Sequence, residues 1–164
     1  MDQSIETLGL LAEITSAFVA FAAIVASIRV SLGQQLAPFQ LLLVHFFTES
    51  GMIVVTVCLF PIILSGFWHD RSQIALASTY YAILALTIYL FTYIRRRRAA
   101  KAPTPLISLL NMILWAIWII ILIVTLTEIF WPPSLAIVAA FCFWGLFSAT
   151  IIFVSFLSSF LKSA

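Results

Sequence analysis

Charged side chains are scarce in this sequence of 164 residues, where aspartate, glutamate, lysine and arginine together make up 9%. Soluble globular domains carry about 25% charged residues, so the composition excludes an ordinary water-soluble fold. Hydrophobic residues reach 64%, and the mean hydropathy is +1.20. The chain is therefore expected to have a lipid bilayer as its solvent.

Long polar stretches are also missing, which leaves no room for a soluble catalytic domain, and we expect no enzymatic activity. The formal net charge of +2 comes from a few local clusters, so nucleic acid is not an expected partner. The sequence contains no zinc-ligand spacing, no phosphate-binding glycine loop and no nucleophile–base motif. We therefore expect neither a metal site nor a cofactor.

Cysteine is limited to Cys58 and Cys142, which both lie in apolar runs where a thiol behaves as a small hydrophobe. A disulfide or a metal pair would require the fold to bring them together. The N-terminus carries Asp2 and Glu6, whereas a signal peptide would be positively charged there. We therefore expect the first hydrophobic segment to be retained.

Five segments are long enough to cross a bilayer, which takes about 20 mostly apolar residues. They run approximately over 8–32, 39–66, 73–94, 106–130 and 135–161. Because the connections are short, consecutive helices should be antiparallel neighbours. The sequence thus predicts one all-α membrane domain with five transmembrane helices. The alternative has four spans and an interfacial N-terminal helix, because Glu13 and Arg29 leave only residues 14–28 uncharged in the first segment.

A basic cluster between the third and fourth segments predicts the orientation. It consists of Arg95, Arg96, Arg97, Arg98 and Lys101. Such clusters remain cytoplasmic during insertion, which places the N-terminus outside and the C-terminus inside. Arg29 and Lys162 then fall on the cytoplasmic side as well, and only Arg71 lies outside. The same cluster could also attract anionic lipid head groups.

Three titratable side chains fall inside the predicted spans. Helical rise places Glu13 in the outer third of the first and Glu49 near the middle of the second. An ionised side chain at the bilayer centre costs at least about 2.5–3.5 kcal/mol, so both should point into the protein. His45 precedes Glu49 by four residues and shares its helix face. A carboxylate and an imidazole so placed could relay protons or could simply hold helices together.

The opening segment, Leu11 to Val25, resembles the start of a group of small, uncharacterised bacterial multi-pass membrane proteins. Their first helix carries an early glutamate, a stretch rich in small residues and phenylalanine, and a basic residue at its inner end. Glu13, Phe18, Phe21 and Arg29 match these features here. The resemblance implies a helix bundle in a bacterial inner membrane, and it implies no activity.

Together these features predict a homo-oligomeric ion or proton channel or transport protein. Small residues such as Ala12, Ser16 and Ala20 favour close packing of the first helix, so the first two helices should lie near the axis. In this hypothesis Glu13, His45 and Glu49 line the pathway, with Arg29 at its inner mouth. The fourth helix is bulky and apolar and is expected to face lipid. The alternative function is a non-conducting structural or accessory subunit that docks on another membrane protein.

Overall fold

The computed structural model describes residues 3–31, 38–100 and 106–161, and the side chains of 29, 30, 38–42, 100, 156 and 159–161 lie outside that description. All regular structure in these ranges is α-helical. The helices are α1 (Gln3–Ser31), α2 (Pro38–Ser65), α3 (Arg71–Ala100), α4 (Leu106–Leu126) and α5 (Leu135–Leu161). Each is long and apolar enough to span a bilayer. The prediction of an all-α bundle with five spanning helices is confirmed, and α1 qualifies as a span despite Glu13.

Three helix ends differ from the sequence-based bounds by four residues or more, and the first is the start of α1, at Gln3 instead of residue 8. α3 continues through the arginine run to Ala100, because arginine is a good helix former and basic side chains favour a helix C-terminus. We call this end of the bundle the arginine end. α4 stops at Leu126, before Phe130, because Glu128 takes a positive φ of 55°. A non-glycine residue in this left-handed region does not continue a helix.

α2 is the central helix and packs against α1, α3 and α5, while α4 packs against α3 and α5. α1 contributes a buried row with alternating spacings of four and three residues, which is typical of close helix pairs. The row consists of Leu8, Ala12, Thr15, Val19, Ala22 and Ala26. Opposite it, Gly51 of α2 leaves no space for a side chain, since a Cβ there would overlap Val19. The absence of a side chain at Gly51 thus lets α1 and α2 approach closely.

One face of α4 is buried, which corrects the expectation that this helix faces lipid all round. Trp115 is fully buried and contacts Tyr89 of α3 and Phe141 of α5. Its Nε1 donates a hydrogen bond to Ser148 Oγ at 2.9 Å, and Ser148 Oγ donates to Asn111 Oδ1 at 2.8 Å. These bonds join α4 to α5 inside the bundle. The remaining surface of α4 is exposed and apolar, as expected.

The two cysteines lie together in the larger hydrophobic core, on α2 and α5. Cys58 and Cys142 are both fully buried and belong to the same cluster of core residues. They are free thiols in this structure. The fold therefore brings the two cysteines together, which the sequence alone could not show. The pair contributes to packing between the two helices.

The close approach at Gly51 predicts a specific loss of stability. Gly51→Ala should lower the free energy of unfolding by about 1–3 kcal/mol, since the new methyl group overlaps the stiff side chain of Val19. Adding Val19→Ala should recover part of this loss. Gly9→Ala is the matched control, because its Cβ would lie 3.8 Å from Ile62 Cδ1. Thermal denaturation in detergent would measure all three variants, and equal stability of Gly51→Ala and Gly9→Ala would contradict the assignment.

Candidate functional site on one face of the bundle

Polar side chains of α2 form a stripe on the outside of the bundle. The α2 stripe consists of His45, Glu49, Met52 and Thr56, whose spacing of four, three and four residues keeps them on one helix face. His45, Met52 and Thr56 are exposed, and Glu49 is partly buried. The shared face of His45 and Glu49 agrees with the sequence-based prediction, but the expected direction was wrong, because the stripe points away from the bundle interior.

Glu49 forms an ion pair with Arg96 of α3. Arg96 Nη1 donates a hydrogen bond to Glu49 Oε1, with 51% of the arginine side chain and 30% of the glutamate side chain exposed. The two helices are antiparallel, so the N-terminus of α2 lies at the arginine end. Helical side chains tilt toward the N-terminus of their own helix. Glu49 therefore tilts toward the arginine end and Arg96 away from it, which brings the two charges together.

Arg96 was expected only to orient the protein and to attract lipid, and its contact with Glu49 was not predicted. A loop was expected at the arginines, whereas the extension of α3 to Ala100 places Arg96 on a helix beside α2. Further contacts fix this helix pair. Tyr89 donates a hydrogen bond to the Phe46 carbonyl at 3.2 Å, and the rings of Phe46 and Tyr93 lie 4.7 Å apart. The sequence does not reveal which residues of the two antiparallel helices lie side by side, and this register brings Arg96 to Glu49.

His45 does not contact Glu49, although the two residues are one helical turn apart. The carboxylate of Glu49 is engaged by Arg96, and His45 is exposed without a hydrogen-bond partner among the described side chains. The shared helix face is therefore present, but a direct proton exchange between these two groups is not. Any transfer between them would have to pass through water.

α1 carries a second outward stripe of small residues. This α1 stripe consists of Glu13, Ser16, Ala20, Ala23 and Ser27, all of which are exposed. The predicted packing row is therefore divided: Ala12 is buried against α2, whereas Ser16 and Ala20 face outward. Glu13 faces outward too, which corrects the expectation that it points into the bundle. It has no ion-pair or hydrogen-bond partner within the described part of the chain.

The two stripes lie on the same side of the bundle. On α1, Phe18 and Phe21 contact Phe153 of α5, so the α1 stripe occupies the flank turned away from α5. On α2, the stripe lies between the contacts with α1, at Gly51, and the contacts with α3, at Glu49. This side also faces away from α5. We call the combined surface of the α1 stripe and the α2 stripe the polar face.

The antiparallel register orders the titratable groups of the polar face by depth. Gly51 lies beside Val19, so Glu13 is at about the level of Thr56. From that level to His45 the helical rise covers about 16 Å, roughly half the thickness of a bilayer's hydrocarbon core. Glu49 lies between them. The structure thus brings Glu13, Glu49 and His45 onto one surface at successive depths.

The remaining predicted residues are distributed as follows. Arg29 lies in α1, but its side chain is outside the described part of the structure, as is the whole of Lys101. Arg95 and Arg98 are exposed at the end of α3, and Arg97 is partly buried. The proposed inner mouth at Arg29 therefore stays a prediction.

The polar face is bordered by an open groove between α2 and α3. This α2–α3 groove has a volume of about 380 Å³ and is lined by Thr48, Glu49, Ile53, Ala85, Ile88 and Thr92, among others. By contrast, the cavity between α1, α2 and α5 at Ala22 and Phe47 measures about 10 Å³. That volume is at the lower limit for a single water molecule. The groove therefore provides open space beside the polar groups on the outside of the bundle.

No family model, curated protein or solved structure matches the chain. The likeness of its first helix to small bacterial membrane proteins stays a prediction. The functional argument therefore depends on the geometry of the polar face.

The Glu49–Arg96 pair predicts a measurable coupling between two helices. Arg96→Gln should destabilise the protein, because it leaves the Glu49 carboxylate without its partner in a membrane-spanning segment. Combining it with Glu49→Gln should restore stability, with a coupling energy of about 1 kcal/mol because the pair is partly exposed. Reversible unfolding in mixed detergent would complete this double-mutant cycle. Arg98→Gln is the control, and a coupling of zero would remove the pair's structural role.

Proposed function

We propose that this protein is a non-enzymatic subunit of a homo-oligomer in the bacterial inner membrane, and that protons or cations pass between its protomers along the polar face. The bilayer is its surroundings, and other copies of the chain are its partners. Five helices suited to spanning a membrane support the multi-pass part of this proposal.

One observation carries the proposal: the titratable groups of α1 and α2 lie on one outward surface. Glu13 and His45 are exposed and Glu49 is partly exposed, all on the polar face. An ionised group in the hydrocarbon core is costly, so such residues face protein or water rather than lipid. A second protomer placed over this face would shelter them. The small residues of the α1 stripe favour such contact, since they allow backbones to approach closely.

The same arrangement suggests how ions would pass. In a ring of protomers, Glu13 would attract cations at one level, and Thr56, Glu49 and His45 would supply oxygen and nitrogen ligands toward the arginine end. Water between the protomers would link these groups, because their side chains do not contact one another directly. Arg96 offsets the charge of Glu49, so Glu13 is the stronger cation-attracting group.

A non-conducting accessory subunit is the second candidate, and the Glu49–Arg96 pair favours it. A neutralised carboxylate suits a contact surface better than a cation site, because paired charges bury at lower cost than single ones. In this case the polar face would dock on a different membrane protein. A single dominant co-purifying protein would support this candidate, whereas a homo-oligomer of uniform size in mild detergent would support the first.

Cross-linking tests which surface joins the protomers. Ala20→Cys, at the centre of the α1 stripe, should form a disulfide-linked dimer on oxidation in bilayers. Phe21→Cys is the matched control at the same depth, since its side chain turns toward α5. The native cysteines are buried and should contribute little background. Electrophoresis without reductant gives the result, and equal cross-linking at both positions would reject the α1 stripe as the interface.

Ion movement tests the pathway itself. Liposomes containing the purified protein should show proton or cation flux above empty liposomes, and Glu13→Gln, Glu49→Gln and His45→Ala should each reduce it. The matched control is Thr87→Val, an exposed polar position on α3 outside the polar face. Size-exclusion profiles would verify that each variant folds and assembles. Flux that is unchanged in all three variants would exclude this pathway, and wild-type flux equal to that of empty liposomes would favour the accessory subunit.

A further inference from the structure

We propose that the α2–α3 groove is a binding site for one anionic phospholipid, with its phosphate on Arg95 and Arg96 and an acyl chain in the groove. The groove shares Glu49, Met52 and Thr56 with the α2 stripe, so the lipid would lie at the edge of the polar face, and its binding does not require ion passage. It gives Arg95 and Arg96 a specific ligand, which is a role beyond orienting the protein in the membrane.

The positions of the arginines follow from helical spacing. Arg95 comes three residues after Thr92 and seven after Ile88, which both line the groove, so it lies on the same face of α3. Arg96 comes four residues after Thr92, and its side chain reaches Glu49 in the groove wall. Helical spacing therefore puts both arginines beside the end of the groove that is nearer the arginine end of the bundle.

Arg96 has donors to spare for a second anion. A guanidinium carries five N–H donors, and the contact with Glu49 uses Nη1. About half of the Arg96 side chain is exposed. Glu49 thus holds Arg96 at the groove, and the exposure of the side chain leaves its other donors accessible to a second anion. Planar guanidinium groups bind phosphate through paired hydrogen bonds, which suits a lipid head group.

The dimensions of the groove fit a lipid from one leaflet. Its α3 wall runs from Tyr81 to Thr92, a rise of about 16 Å. One leaflet contributes about half of a hydrocarbon core of about 30 Å. Ile53, Ala85 and Ile88 give the groove an apolar wall for an acyl chain. The charge also fits: among the described side chains, Glu49 is the only acidic residue that pairs with this run, which leaves a net positive charge for an anionic head group.

Native mass spectrometry of the intact protein in detergent would test the site. We expect phosphatidylglycerol to bind more tightly than phosphatidylcholine with the same acyl chains. Arg95→Gln should weaken phosphatidylglycerol binding about fivefold, the effect of one basic residue near a membrane surface. Arg98→Gln is the matched control, since Arg98 shares its helix face with exposed Phe91 and Ile94, away from the groove. It should change binding by less than about twofold.

A second pair of variants tests the groove without changing charge. Ala85→Trp should fill the groove and weaken phosphatidylglycerol binding, whereas Ala116→Trp on the exposed surface of α4 should not. Equal losses for Arg95→Gln and Arg98→Gln would show diffuse attraction to the arginine run and overturn the site. Three further outcomes would also overturn it: equal binding of both lipids, full competition by inorganic phosphate, or insensitivity to Ala85→Trp because a second copy covers the groove.

Discussion

The pairing of Glu49 with Arg96 is the constraint on which the arrangement of this bundle depends. A carboxylate near the middle of α2 cannot be left to lipid, and its counter-charge comes from α3, close to the end of that helix. The pair forms only because the helices are antiparallel and each side chain tilts toward its own N-terminus. It fixes α3 beside α2, and the bonded Tyr89 and the ring of Tyr93 then complete the contact. The α2–α3 groove and the position of the α2 stripe both follow from this placement of α3 beside α2.

The number and type of the helices could be predicted from apolar length alone, because a bilayer admits few other structures. The extension of α3 through Arg98 could not be predicted in this way, because a run of charged residues suggests a loop. The sequence has no helix-breaking residue between Arg95 and Pro103, and α3 continues to Ala100. The direction of Glu13 was equally hidden. In a water-soluble helix the polar side identifies the surface, but here both the interior and the lipid side of α1 are apolar, so periodicity does not separate them. The close fit of Val19 against Gly51 decides which side of α1 packs against α2.

Small residues illustrate the same limit of sequence reasoning. α1 has two rows of them: Ala22 and Ala26 are buried inside the bundle, whereas Ala20, Ala23 and Ser27 are exposed. Spacing alone predicts that both rows can pack against helices, and only the structure shows that one of them is already used. The exposed row lies beside α2, next to the residues singled out for ion passage. The structure therefore places the predicted site residues of α1 and α2 on one surface, and their part in ion passage stays a prediction.

The buried polar groups of α4 and α5 provide an internal comparison for the polar face. Trp115, Ser148 and Asn111 are joined by two hydrogen bonds inside the bundle that link two helices, although the Nδ2 group of Asn111 has no partner among the described residues. Glu13 and His45 differ in both respects, because each is exposed and each lacks a partner among the described side chains. If their function were only to hold this bundle together, they should resemble the α4–α5 group. Their outward placement beside a row of small residues is the observation that supports the proposed contact with another transmembrane helix and the water it would enclose.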